Sequence, residues 1–230
     1  MQNILRAVLA GAIVASASPA LATVIVDEHP YSNPDPQDQI HNIVNQTGNT
    51  VTGRLQPFGL RYDFNATPVE SLTSNGNGHA KIEASDGGMF ALTMTPRVLG
   101  SSFTAIDFNV NVPNGDVART VLLNGPIAEW VSFSLLLGND TVVDTGAYAL
   151  GGNNMFLVFG DDGEIFKSIT WRGWTSADMT TTAQFQDVRQ IDLNAVPEPS
   201  TWAMMILGFG LIGGALRSRK SKARTALSHG

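Results

Sequence analysis

Apolar and polar residues alternate along most of this chain in short bursts, with Gly, Asn, Asp or Pro between them. The run Phe103–Val112 is the clearest case: Ile106, Phe108, Val110 and Val112 fall on one face, and Asp107, Asn109 and Asn111 on the other. That period of two is the signature of a strand with one face on a core. The same pattern predicts strands over Thr23–Val26, Leu60–Phe64, Ala80–Ala84, Thr120–Leu123, Trp130–Leu137, Met155–Phe159, Ile165–Trp171 and Gln184–Leu193. Turn signals punctuate them at Asn75-Gly76, Asp86-Gly87-Gly88, Asn114-Gly115, Asn124-Gly125 and Gly151-Gly152. Asp161-Asp162-Gly163 predicts a hairpin joining Met155–Phe159 to Ile165–Trp171. The body shows no sustained helical period and no internal repeat. The expected fold is all-β, an antiparallel β-sandwich of jelly-roll-like form, with a closed barrel as the alternative.

Both ends break this pattern. Residues 1–22 carry Arg6, an apolar run from Ala7 to Ala17, and small residues at Ala20 and Ala22. This order predicts a secretory signal peptide cut after Ala22 by signal peptidase. At the other end, Pro197, Glu198 and Pro199 precede an apolar run from Trp202 to Leu216, and Arg217, Arg219, Lys220, Lys222 and Arg224 follow. An apolar run stopped by a cationic cluster predicts a short transmembrane segment entered from the far side of a bilayer. The run extends ~22 Å as a helix, against a hydrocarbon core of ~30 Å. Gly208, Gly210, Gly213 and Gly214 interrupt it. A segment of this kind suits a temporary stay better than a lasting anchor. The chain therefore divides into a signal peptide (1–22), an exported domain (23–194), a Pro-rich linker (195–201), a membrane segment (202–216) and a basic cytoplasmic tail (217–230).

The segment from Val196 to Lys220 resembles the PEP-CTERM sorting signal of Gram-negative bacteria, in the variant with Trp-Ala two residues after the triplet. The resemblance implies recognition by an exosortase, an integral-membrane processing enzyme, and a cut near the triplet. It further implies a transient stay in the inner membrane, followed by retention on the cell surface or release. It also implies a connection with exopolysaccharide and biofilm. On this resemblance Pro197, Glu198 and Pro199 form the recognition element. Trp202 sits at the membrane interface, and Arg217, Arg219 and Lys220 stop transfer. The stretch Phe185–Pro199, with its Arg189-Gln190 pair, and the stretch Asn153–Trp171 resemble strands of domains that carry this signal.

Charge separates the body from the tail. The whole chain carries a formal −6. Residues 23–196 hold eight basic against nineteen acidic side chains, a net of −11. Nucleic acid is thereby excluded as a partner. Cysteine is absent, so the fold has no disulfides and no thiol chemistry.

Candidate chemistry is sparse. The G-x-G-x-x-G of Gly208, Gly210 and Gly213 lacks the preceding strand and the downstream acid of a dinucleotide fingerprint. His29, His41, His79 and His229 show no zinc-ligand spacing, and no nucleophile elbow is present. Asp161, Asp162 and Glu164 could offer oxygens to calcium, but a plain turn accounts for them, as it does for Asn139 and Asp140. No cofactor and no metal is expected. Trp171 reads as core. Trp174, past Gly173, is a candidate ligand contact if it is exposed, since exposed aromatics grip sugar rings. Three functions stay open: a non-enzymatic surface or matrix protein, which the missing catalytic motifs favour; a carbohydrate-binding module for the cell's own exopolysaccharide; and a secreted glycan hydrolase.

Overall fold

The structure is a computed structural model. It describes residues 23–28, 38–42, 45–75, 78–112, 125–151, 154–161, 163–196, 204–213 and 217. The expected signal peptide with Ala20 and Ala22, the strand expected at Thr120–Leu123, His29, Asp162, the Pro197–Pro199 triplet, Trp202, Arg219 and Lys220 lie outside those residues.

Among the described residues the body is built of strands, as the alternation predicts. They are β1 (Val24–Glu28), β2 (Asp38–Asn42), β3 (Gln46–Gly48), β4 (Thr50–Leu55), β5 (Arg61–Ala66), β6 (Leu72–Ser74), β7 (Lys81–Ala84) and β8 (Ala91–Pro96). After these come β9 (Ser102–Asn111), β10 (Trp130–Leu137), β11 (Val142–Asp144), β12 (Tyr148–Ala149), β13 (Met155–Gly160), β14 (Phe166–Trp174) and β15 (Asp187–Val196). Every pairing between them is antiparallel, and all join one sheet in the order β1-β13-β9-β14-β8-β5-β4-β2-β15-β7-β6-β3, with β10 to β12 branching from β14. The sheet curls until β15 meets β9, so that β9, β14, β8, β5, β4, β2 and β15 form a closed circuit. Two links in this circuit are narrow. β14 meets β9 only at Phe166 and Phe103, and β15 meets β2 only at Asp192 and Leu193.

The core lies inside the curl. Trp171, Phe108, Phe133, Phe156, Phe103 and Phe166 are fully or almost fully buried. Phe108 meets Trp171 edge-on at 5.1 Å and Phe133 at 5.2 Å between ring centres, the geometry that aromatic quadrupoles favour. In place of disulfides, cohesion comes from this aromatic cluster and the aliphatic residues around it.

Two expectations change. The Asp161–Gly163 turn is not a hairpin turn, because β13 and β14 do not pair. β13 lies between β1 and β9, whereas β14 runs beside β10 and β8. An Asp-Gly signal reports that the chain reverses; which strands then pair is decided by where each apolar face finds the core. The polar face of β9 is also not uniformly wet. Asp107 is only 6% exposed, because β9 is an interior strand that sets Leu157 of β13 and Asp192 of β15 on either side of it.

β15 explains the Arg-Gln pair read from the sequence. Asp187, Val188 and Arg189 pair with β7, whereas Asp192 and Leu193 pair with β2. Between them Gln190 takes a φ of 53°, and the register against β9 shifts. This bulge lets one strand change neighbours. Arg189 is drawn back onto its own strand, donating to both carboxylate oxygens of buried Asp187 at 2.6 and 2.8 Å.

Candidate functional site

The place where the chain leaves the body is the first candidate. β15 carries its ladder with β9 to Ala195 and Val196, which oppose Phe103 and Ser102. The last paired residues therefore reach two positions into the stretch read as linker. β15 has neighbours on both sides, β9 on one and β7 and then β2 on the other. The tail is thus attached to an interior strand.

Beyond it, residues 204–213 form a helix, ~15 Å long at the usual rise. Its side chains are apolar on every side and almost all are exposed. Met204 is 70% exposed, Phe209 69% and Leu211 75%, and Ile206, Leu207 and Ile212 are similar. A helix that is apolar all round finds its partner in a protein core or in lipid, and here the core does not hold it. Arg217, just past this segment, is exposed too. Among the described residues no helix is both long and apolar enough to cross a membrane.

The remaining candidates sort by surroundings. Trp174 is half-buried at the end of β14. Its indole N–H donates to Ser132 Oγ at 2.8 Å, so its polar edge is already engaged. Gly173 of the Trp-Arg-Gly-Trp order is required by close approach: a Cβ there would lie 2.4 Å from the Ala183 carbonyl oxygen. His41 and His79, far apart in sequence, meet across an isolated bridge with ring centres 5.9 Å apart. Burial, and then the neighbouring His41, lowers the pKa of His79. Glu164 accepts a hydrogen bond from the Thr23 N–H at 3.2 Å, tying the acidic turn to the start of β1. Asp140, at a φ of 66° in the turn after β10, accepts from Lys167 at 2.7 Å. Among the described residues no cluster of three His, Asp or Glu side chains could hold a metal ion.

Two carboxyl groups are pushed well up, and spacing alone could not have found either. Asp192 is pushed up to about 7, by burial first and by Asp107 second. Glu70 is pushed up to about 7, by burial first and by Asp86 second. Both pairs arise from strand register and loop contacts between residues distant in sequence. Neither pair lines a described cleft. The open cleft of about 410 Å³ on the outer face of β8 and β14 is instead lined by Thr67, Pro68, Phe90, Ala91, Arg172 and Thr182.

A strand-built body that ends in an unburied apolar helix leaves that helix for use outside the fold. Residues 195–220 match the PEP-CTERM protein-sorting motif. The chain therefore carries a PEP-CTERM sorting signal, which implies an extracellular protein processed by an exosortase and exported to the cell envelope or surface. No curated protein and no solved structure matches the chain.

Proposed function

We propose that this protein is a non-enzymatic component of the cell surface or extracellular matrix, associated with exopolysaccharide and biofilm. In this reading the Trp-Ala variant of the sorting signal, with Trp202 at the interface and Arg217, Arg219 and Lys220 as the stop, holds the chain briefly in the inner membrane. The exosortase then cuts beyond Val196 and frees a body that is a flattened, two-faced β-sandwich. The two narrow links in the strand circuit support that shape, since they mark where one face folds over onto the other.

The observation that carries the proposal is the exposed apolar helix placed after an interior strand. Burial of that helix against the body would have made it ordinary core. Its exposure gives it a use only outside the fold, and the motif match supplies the use.

The test is mass measurement of the protein recovered from membrane, surface and medium. The expected product begins near Thr23, after signal peptidase has acted, and ends near Pro197–Pro199. Glu198→Ala is expected to leave the uncut form in the membrane fraction. An intact tail in every fraction of the wild type would overturn the proposal.

A further inference from the structure

Arg172 stands on the outer face of β14, exposed. It lies opposite Ser132 on one neighbouring strand and Ala91 on the other. Among the described residues it makes no ion pair, whereas Lys81, Arg97, Lys167 and Arg189 all do. None of the described residues lining the cleft beside it is acidic. In a body of net −11, a cation with no ion pair among the described residues has its positive field to offer a ligand.

The surroundings narrow the ligand class. Phe90 offers a half-buried ring, held in place by the backbone at Gly125, where a Cβ would come within 3.1 Å of it. Thr67 and Thr182 bring exposed side-chain hydroxyls to the rim. Trp174 pairs with Thr182 through a backbone bridge, and its own N–H is already donated to Ser132. An aromatic face, flanking hydroxyls and one planar guanidinium suit a ring that has an apolar face, hydroxyls and a carboxylate. Arg matches a carboxylate with two parallel hydrogen bonds.

We propose that this cleft binds a uronate unit of an acidic polysaccharide, with Arg172 on the carboxylate and Phe90 against the sugar ring. The proposal deepens the export reading and rests on it, because an extracellular polymer is met only outside the cell. At physiological ionic strength, exposed charges farther than the Debye length of about 8 Å from the cleft are largely screened from it.

The test is affinity electrophoresis of the full chain in detergent micelles, through gels containing polygalacturonate or neutral dextran at 0.15 M salt. Polygalacturonate is expected to retard the wild type, and free galacturonate to reverse this; dextran is expected to have no effect. Arg172→Met should weaken retardation about tenfold, the size of a lost charge-assisted contact. Phe90→Leu should weaken it severalfold, with the guanidinium left in place. Thermal melting of each variant reports whether the fold is kept, and competition by galacturonate needs no variant at all. Equal retardation of the Arg172→Met and wild-type chains would overturn the proposal, as would equal retardation by dextran or none by polygalacturonate. Tail processing is read separately by mass, so the two readings fail independently.

Discussion

At the residue scale, the most consequential side chain is one that the alternating pattern assigns to water. Asp192 faces Asp107 across the β15–β9 ladder, and its Oδ1 is buried without a hydrogen-bond partner among the described residues. Burial and the Asp107 charge raise its carboxyl to about 7, so the fold favours the protonated form. That stabilisation is complete below the ordinary carboxylate range and is lost as pH rises toward and through 7. Each unit by which folded and unfolded values differ corresponds to about 1.4 kcal/mol. Melting temperatures of the wild type are therefore expected to fall between pH 4 and pH 7.5. Asp192→Asn, which mimics the protonated group, should flatten much of that slope, leaving the part due to Glu70. An unchanged slope in the variant would show that the cross-strand acid pair does not carry the effect. Asp187, five positions earlier, shows the opposite solution. It is completely buried, and Arg189 supplies a two-pronged partner.

At the element scale, β15 organises the body. It makes its longest contact with β9, and its change of neighbours from β7 to β2 depends on the bulge at Gln190. A left-handed φ of 53° is hard for a β-branched side chain. Gln190→Val should destabilise the protein by roughly 1–3 kcal/mol, the typical range for backbone strain, whereas Gln190→Gly should be close to neutral. Chemical denaturation of the two variants checks this; equal stabilities would mean that the bulge is not a required hinge. The Trp-Arg-Gly-Trp order shows the same dependence on neighbours. From the sequence Trp171 reads as core and Trp174 as a ligand contact if it is exposed. In the fold Trp171 is core, Trp174 is tethered to Ser132, and Gly173 makes room for the Ala183 carbonyl.

At the scale of the whole molecule, body and tail are separate in their stability. The helix at 204–213 is exposed on all sides and adds little to the core, whereas Ala195 and Val196 belong to the ladder. A chain ending at Val196 should melt within about 2 °C of the full chain, since a surface deletion away from core contacts costs no more than about 0.5 kcal/mol. A chain ending at Gln186 lacks β15 and should not fold. Circular dichroism of both truncations distinguishes them; unfolding of the Val196 form would show that the tail supports the body.

How far the sequence could be read follows from the range of each interaction. Strands whose alternation is strong, such as β9, β10 and β14, were legible because one apolar face is enough to announce them. β2, β3, β4, β6, β8, β11 and β12 were not, being short or carrying Thr, Gly and Gln where a clear alternation would need apolar residues. The sorting signal was legible because its meaning depends on order along the chain: triplet, apolar run, cations. By itself the sequence determined a strand-rich acidic body and a tail that carries a sorting signal, since period, charge and linear order are local properties. Only the tertiary structure decided that β13 and β14 part company, that Asp107 meets Asp192, that Arg172 stands beside Phe90 with no ion pair among the described residues, and that the apolar helix stays out of the core. Each of those depends on which distant strands lie side by side, and pairing is settled by the collective burial of faces rather than by neighbours in the chain.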